Sequence, residues 1–432
     1  MSQNNSLKGF YKLNWMQRIG FGSGDLAQNL IFQVTCTYLL FFYTDIYGLD
    51  PLSVSVMFTV GNVANVIWDP IVGALIDKSN PSLGKYRSYL IYVGLPLSGF
   101  AILCFYDGFA PSLLYAYITY IAMTLLYTFI NVPYGALNSS LTRDTHEITV
   151  LTSVRMFMAN IGGLAVNSGL PLVISWFAAM CIYAIVGMCL LFFCFSQCKE
   201  KVVMDASESE NVKVSDLWME FLHNRPLRII AFFFITAFAM MSIGNAAGAY
   251  FMNCNMHGTA AELSVFMALG SIPSFIFMPL VPVIKQAVGK KNMFYIFLGA
   301  AIVGMIMIYI IAKMEHPSMM WIYVAQFIKS TGVIVATGYM WALVPEVISY
   351  GEYKSGKRIA GIVNALTGIF FKAGMTLGGI VGPAVLAYVG YNSATTDQSP
   401  LAEEGILWLV CVIPAALLLL GIFIISQYEL TD

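Results

Sequence analysis

Charge is the scarcest thing in this sequence. Lys, Arg, Asp and Glu make up 10% of its 432 residues, against about 25% in a soluble domain. A chain so poor in charge cannot cover a water-facing surface, which excludes a soluble fold. Its net charge of −1 excludes nucleic acid as a partner, because phosphate backbones call for a basic face. Histidine is nearly absent as well. The four that exist, His146, His223, His257 and His316, fall in expected loops, so no imidazole relays protons inside a membrane. The eight cysteines (Cys36, Cys104, Cys181, Cys189, Cys194, Cys198, Cys254, Cys411) show no paired spacing. They read as small buried hydrophobes rather than disulfides or metal ligands. Residues 1–15 lack a signal-peptide cleavage pattern, so the first apolar segment stays in the membrane. No long polar insert marks a separate soluble domain. No metal cluster or nucleophile–base pair stands out, so neither an enzyme nor a cofactor is expected.

What fills the chain is hydrocarbon: 59% of residues are hydrophobic and the mean hydropathy is +0.75. Runs long enough to cross a core of about 30 Å recur twelve times. They cover about 19–47, 52–77, 88–107, 112–137, 149–171, 174–197, 227–252, 261–284, 293–312, 318–344, 360–389 and 405–427. The expected fold class is an all-α membrane protein of twelve transmembrane helices. Lysine and arginine crowd one side of the implied topology, from Lys8, Lys12 and Arg18 through Lys78, Lys85 and Arg87 to Lys354, Lys357 and Arg358. The other side has only Lys313, among Asp50, Asp107, Glu262, Asp397, Glu403 and Glu404. That bias puts both termini in the cytoplasm, and the expected location is a bacterial inner membrane. The longest cytoplasmic loop divides the chain into a six-helix bundle over 1–196, a linker over 197–225 and a second bundle over 226–432. A weak repeat relates the bundles. Gly84-Lys85-Tyr86-Arg87 precedes Gly94 by the same ten residues by which Gly289-Lys290-Lys291 precedes Gly299. Duplicated six-helix halves are the plan of the major facilitator fold, whose solute site lies between the halves.

Against this apolar background a few polar residues stand out. Asn62, Asn65 and Asp69 are spaced to share one helical face, and a charged aspartate at a helix centre costs about 2.5–3.5 kcal/mol. Such a face must meet protein or water, and it reads as part of a solute and ion pathway. The first segment adds Asp25, Asn29 and Gln33; the fourth adds Thr124, Thr128, Asn131 and Gly135, with Tyr127 beside them. Lys329, Thr337 and Trp341 lie on the tenth segment, and Asn364, Thr367 and Lys372 on the eleventh. Donors, acceptors and an aromatic face together suit a sugar. The plainer reading is that such Asn and Thr residues only tie neighbouring helices, at roughly 0.6 kcal/mol each. Asp25 is expected to cap its helix or pair with Arg18. Asp45, Asp77 and Arg143, at segment ends, read as structural. Lys329 can equally snorkel or pair structurally. Asp69 and Lys372, ionised at depth, carry the functional reading.

These residues also carry a resemblance. Gly22-Ser-Gly-Asp25-Leu-Ala-Gln-Asn29, Phe42-Tyr-Thr-Asp45-Ile-Tyr-Gly48, Trp68-Asp69-Pro70-Ile-Val-Gly73 and Gly84-Lys85-Tyr-Arg87 resemble the glycoside–pentoside–hexuronide:cation symporters. So do Tyr127-Thr128-Phe-Ile-Asn131-Val-Pro133-Tyr-Gly135 and Tyr350-Gly351-Glu352-Tyr-Lys354-Ser-Gly356-x-Arg358. The stretches span both halves in family order and are specific only when taken together. The resemblance implies a twelve-helix major facilitator in which Asp69, Asn65 and Thr128 occupy cation-site positions. Asn29, Asn131 and Arg155 match sugar-site or neighbouring positions, and Trp341 and Lys372 match positions facing the site from the second half. Lys85, Arg87, Glu352 and Arg358, on turns at 78–87 and 346–358, are the expected gating residues. The sequence departs from the family's melibiose permease in having Asn29, Asn65 and Asn131 where that relative has carboxylates, and Gly135 where it has tryptophan.

The departures bear on the coupling ion. Sodium wants several oxygen ligands, and one carboxylate with amides makes a poorer cage than two. A lone aspartate held away from water can instead bind and release a proton, because burial favours the neutral acid. The expected activity is therefore proton-coupled sugar import by alternating access, with sodium at Asp69 as the second choice and uncoupled exchange as the third. One charge moving down 100 mV supplies about 2.3 kcal/mol, enough for roughly fifty-fold accumulation of a neutral solute. Expected partners are a small sugar or glycoside, the coupling cation and the bilayer. A lipid or lysolipid transporter of related fold and a non-transporting sensor are the rival readings. Lys329, Lys372 and Arg155 mildly favour an acidic or sulfonated sugar.

Overall fold

In the computed structural model the described residues are 12–428, apart from 80, 143–144, 173–174, 201–220, 356–359 and 394. Among them the regular structure is entirely helical. Lipid offers no partner to a backbone N–H, so an apolar run satisfies itself by closing its own i→i−4 bonds. The helices are α1 (Trp15–Phe41), α2 (Pro51–Lys78), α3 (Ser88–Tyr92), α4 (Gly94–Cys104), α5 (Leu113–Leu141), α6 (Thr145–Gly169) and α7 (Trp176–Gln197). After residues 201–220 come α8 (Arg225–Tyr250), α9 (Ala260–Phe277), α10 (Val281–Val288), α11 (Lys290–Ala312), α12 (Met319–Ser355), α13 (Ala360–Tyr388), α14 (Pro400–Leu407) and α15 (Ile413–Ser426).

Among the described residues each of the twelve apolar runs is helical over most of its length. Ten of the resulting spans, again among the described residues, are long and apolar enough to cross a membrane. The third run is a shorter apolar stretch, Ser88–Cys104, interrupted at Val93 between α3 and α4. The fifth, α6, is diluted by Glu147, Arg155, Asn160 and Asn167. Helix starts carry the side chains that starts require. Asn224 Oδ1 accepts from the Leu227 N–H at 3.1 Å, and Thr259 and Glu262 form a reciprocal capping box. One expectation needs correcting. The sequence reads as a turn from Glu346 onward, but α12 continues through Pro345 to Ser355. Glu346 and the backbone of Glu352 are therefore helical.

Two compact units make up the chain. The first comprises Met1–Thr35, Ile46–Leu49 and Thr59–Ser209; the second comprises Cys36–Asp45, Asp50–Phe58 and Glu210–Asp432. In the first, small residues let backbones close up. A Cβ added at Gly24 would stand 2.5 Å from the Tyr134 ring, and one at Gly162 would stand 3.2 Å from Asn29 Cβ. In the second, a Cβ at Gly304 would meet Lys329 N at 2.6 Å and one at Gly374 would meet Ile235 O at 2.8 Å. Such contacts supply packing where lipid gives no hydrophobic drive between helices.

The repeat noted in the sequence has a structural echo. A π-helical turn follows α1 at Phe42–Ile46 and another follows α8 at Phe251–Asn255. In the second unit Thr44 Oγ1 donates to Asp45 Oδ2 at 2.6 Å and lies 2.7 Å from the Tyr250 hydroxyl. The Tyr391 hydroxyl donates to Asp45 Oδ1. Burial, and then the nearby Asp45 carboxylate, push the Tyr391 phenol above its ordinary value, so it stays a donor.

Candidate functional site

Four polar residues of the first unit lie at one height. Asp25 is ten residues past Trp15 and Arg155 ten past Thr145; Asn131 is ten before Leu141 and Asp69 nine before Lys78. At 1.5 Å per residue each is about 14–15 Å from the basic end of its helix. The amphipathic spacing in the sequence thus becomes a polar layer crossing α1, α2, α5 and α6.

The α1–α6 side of this layer is an ion pair. Arg155 Nε lies 3.2 Å from Asp25 Oδ1, with the two side chains 28% and 9% exposed. It is a charge contact rather than an aligned hydrogen bond. The guanidinium also sits 5.2 Å from the centre of the Tyr134 ring. Tyr134 is fully buried, donates to Phe21 O at 2.5 Å and stacks on Phe21 at 4.9 Å. The expectation that Asp25 pairs with Arg18 is overturned. Arg18 lies two turns nearer the end of α1 and grips Glu147 of α6 through two nitrogens, with contacts of 2.8–3.2 Å. Asn29 turns its amide back on its own helix, donating to Asp25 O at 3.1 Å. Further along, Gln33 donates to Asn167 Oδ1 at 3.3 Å.

The α2–α5 side is built around Trp68. Its indole N–H donates to Leu125 O at 3.2 Å and its ring lies 5.9 Å from Phe129. This sets the turn carrying Asp69 beside the turn carrying Thr128, which is 7% exposed. Asp69, Asn65 and Asn131 are half-buried. Asn65 Oδ1, one turn before Asp69, is buried with no hydrogen-bond partner among the described residues. Beyond the layer, a Cβ added at Gly73 or Gly135 would meet nothing within 4 Å. The sequence therefore leaves both glycine positions bare.

In the second unit, Trp341 lies fourteen residues before Ser355 and Lys372 twelve past Ala360. Trp341 is 41% exposed; its ring edge meets Phe234 at 4.9 Å and Phe238 at 6.1 Å. Lys372 is half-buried, next in sequence to Phe371, which meets Phe238 at 4.5 Å. Lys329 belongs elsewhere. It is twenty-six residues before Ser355, about 39 Å along the axis against about 18 Å for Lys372. Its ammonium lies 5.9 Å from the Phe266 ring. Arg155 is thus paired with Asp25, and Lys329 stands at another height from Lys372.

The expected gating residues divide. Arg87 is engaged within its own unit: Nε donates to Leu83 O at 2.6 Å, and the guanidinium lies over Phe195 at 4.9 Å. The Lys85 ammonium lies 5.5 Å from the Tyr86 ring. Arg358 and the side chain of Glu352 lie outside the described residues. Two residues escape the sequence reading. Tyr134 sits inside the quoted Asn131-Val-Pro133-Tyr-Gly135 motif, which is the signal available. Glu200 blends into a polar linker, yet its carboxylate accepts the backbone N–H groups of Lys85, Tyr86 and Arg87.

Known proteins resemble this chain along most of its length. The family described as MFS/sugar transport protein matches residues 20–432. An uncharacterized symporter, YnaJ of Bacillus subtilis (strain 168), is 40% identical over 98% of this chain and 93% of its own length. The putative glycoside/cation symporter YagG of Escherichia coli (strain K12) is 30% identical, covering 98% of this chain and 93% of its own. Among solved structures, the nucleoside transporter NupG matches with a TM-score of 0.69 at 14% identity. That alignment covers 96% of this chain and 100% of the other, and it bears on the fold alone.

Proposed function

This chain belongs to the MFS sugar transport proteins, and on that premise we propose that it imports a glycoside, pentoside or hexuronide together with a proton bound at Asp69. Cation-coupled sugar transport is the family's activity, supported by relatives such as the putative glycoside/cation symporter YagG. The protein is an integral, multi-pass membrane protein, with ten spans of sufficient length and apolarity among the described residues. The lysine- and arginine-rich face is assigned to the cytoplasm on the positive-inside bias.

The observation that carries the choice of ion is Asn65 Oδ1. A buried acceptor without a donor costs about 1–3 kcal/mol, and this one sits a single turn from the carboxyl. A protonated Asp69 has one O–H to give and Asn65 has an oxygen to receive it. When the proton leaves, an amide flip offers an N–H to the carboxylate instead. Thr128 completes the cation site. Asn29, Asn131, Trp341 and Lys372 are assigned to the sugar, with Trp341 offering an aromatic face to a pyranose. Arg155 acts as the partner of Asp25 beside that site.

The test is uptake into proteoliposomes of a panel of radiolabelled xylosides, galactosides, glucosides and glucuronides, with proton and sodium gradients imposed separately. Accumulation is expected with the proton gradient. Asp69→Asn should abolish accumulation while leaving exchange of the same sugar. Accumulation driven by sodium alone, or full accumulation by the variant, would reject the proton site.

A further inference from the structure

We propose that Glu200 is a positioning residue for transport, fastening the Gly84–Arg87 turn to the end of α7 so that α2 and α3 move with their unit. This rests on the transport reading above and extends it to a residue outside the site. Three consecutive backbone N–H groups converge on the one carboxylate: Lys85 N at 3.0 Å from Oε2, and Tyr86 N at 2.7 Å and Arg87 N at 2.9 Å from Oε1. Successive N–H groups curled in this way form a nest with a local positive field. A carboxylate placed there makes hydrogen bonds about twice as strong as neutral ones.

The surrounding geometry is built for that bond. Gly84 has a φ of +119°, and a Cβ there would stand 2.8 Å from Arg87 Nε and 3.0 Å from Glu200 Oε1. The Ser88 hydroxyl donates to Gly84 O, closing the turn. Arg87 then lays its guanidinium on Phe195, near the end of α7, 4.9 Å from the ring centre. The turn between α2 and α3 is thus tied twice to the C-terminal end of α7, by backbone through Glu200, three residues past the helix, and by side chain through Phe195.

The second unit makes the equivalent tie with different groups. Gly289, at φ +81°, opens the turn that leads into α11. Lys291 Nζ donates to Ser426 O at the end of α15, 3.1 Å away. Lys290 pairs with Glu346 at 2.9 Å, and the Tyr428 hydroxyl reaches the same Glu346 oxygen at 3.4 Å. In both units a turn opened by a positive-φ glycine is fastened at or just past the end of the last helix among that unit's described residues. Two unlike sets of contacts serving one connection mark the connection itself as the feature the repeats share. A helix pair so fastened moves with its unit as one body, which alternating access requires.

The test compares Glu200→Ala, Glu200→Gln and Glu200→Asp in the purified full chain, with two readouts. Trypsin cuts after Lys85 and Arg87 only if the turn opens, so the Ala variant should be cleaved there at least tenfold faster than wild type. Uptake in proteoliposomes, using the panel sugar that wild type accumulates most, should lose at least tenfold in maximal rate with KM within twofold. Asp should restore most of both readouts, and Gln should fall between. Unchanged cleavage, an unchanged maximal rate, or a KM that rises in step with the loss of rate overturns the assignment. Should the Ala variant fail to fold, the near-isosteric Gln variant is judged by the same readouts. Absence of gradient-driven uptake by wild type would instead reject the transport reading.

Discussion

Removing one member of the Asp25–Arg155 pair should hurt more than removing both. Taking one partner from a fully buried ion pair costs about 3–5 kcal/mol, because the other charge is left stranded. Here Arg155 is 28% exposed and Asp25 9%, so screening brings the expected cost to about 2–3 kcal/mol. The Tyr134 ring, 5.2 Å from the guanidinium, steadies a lone arginine by about 0.5–1 kcal/mol. Asp25→Asn is therefore the milder single change and Arg155→Gln the harsher, since it leaves a carboxylate without a cation and Tyr134 without its charge. At about 2–4 °C per kcal/mol for a unit of this size, Arg155→Gln should lower the thermal midpoint by roughly 5–10 °C. The double variant should recover at least half of that loss, measured by thermal unfolding in detergent. Uptake should follow the same order, the double variant exceeding Arg155→Gln. Additive midpoints would show that the two charges do not hold each other, and an inactive but fully stable double variant would return Arg155 to the sugar.

Two further outcomes follow from the second unit. Trp341→Ala should raise the KM for the transported sugar about tenfold while Trp341→Phe costs less, in the same proteoliposome assay; equal KM for all three removes the aromatic platform. The Tyr391 phenol is held above its ordinary value of about 10, so the folded state keeps a proton that the unfolded state gives up. Stability should then fall as pH rises past about 10, and Tyr391→Phe should flatten the slope of thermal midpoint against pH between 9 and 11.

The spans are legible because the solvent dictates them: a run such as Trp176–Gln197 has no stable alternative to a helix in lipid. Asp69 stands out in the sequence for a related reason, because an acid is costly in hydrocarbon, and it is half-buried next to Trp68. Pairings across distant sequence are not. Arg18 is two turns from Asp25 on the same helix and is the natural partner by spacing, whereas Arg155 is 130 residues away. Only the crossing of α1 and α6 decides between them, and it gives each base its own acid, Glu147 and Asp25. Glu200 is hidden by its company, since Lys199, Glu200 and Lys201 read as solvated linker. Its partners are backbone groups, which a sequence does not distinguish. The run that stops at 344 misleads in the opposite sense, since the helix continues to Ser355.

The strongest remaining lever on the coupling ion is Asn65. Replacing it by aspartate sets a second carboxylate one turn from Asp69, with Cβ atoms about 5–6 Å apart. At an effective dielectric of about 20, two such charges repel by about 3 kcal/mol. That repulsion is relieved either by one shared proton or by a cation with several oxygen ligands. Thr128, buried next to the Asp69 turn, adds a hydroxyl to the two carboxylates. At pH 8, where protons are scarce and sodium is supplied at about 100 mM, the cation is the favoured relief. If the proposed proton coupling holds, Asn65→Asp should then gain sodium-gradient-driven uptake relative to wild type, and lose part of its proton-driven accumulation. A variant that folds, transports with protons as wild type does and stays blind to sodium would show that the ion is chosen at some other turn.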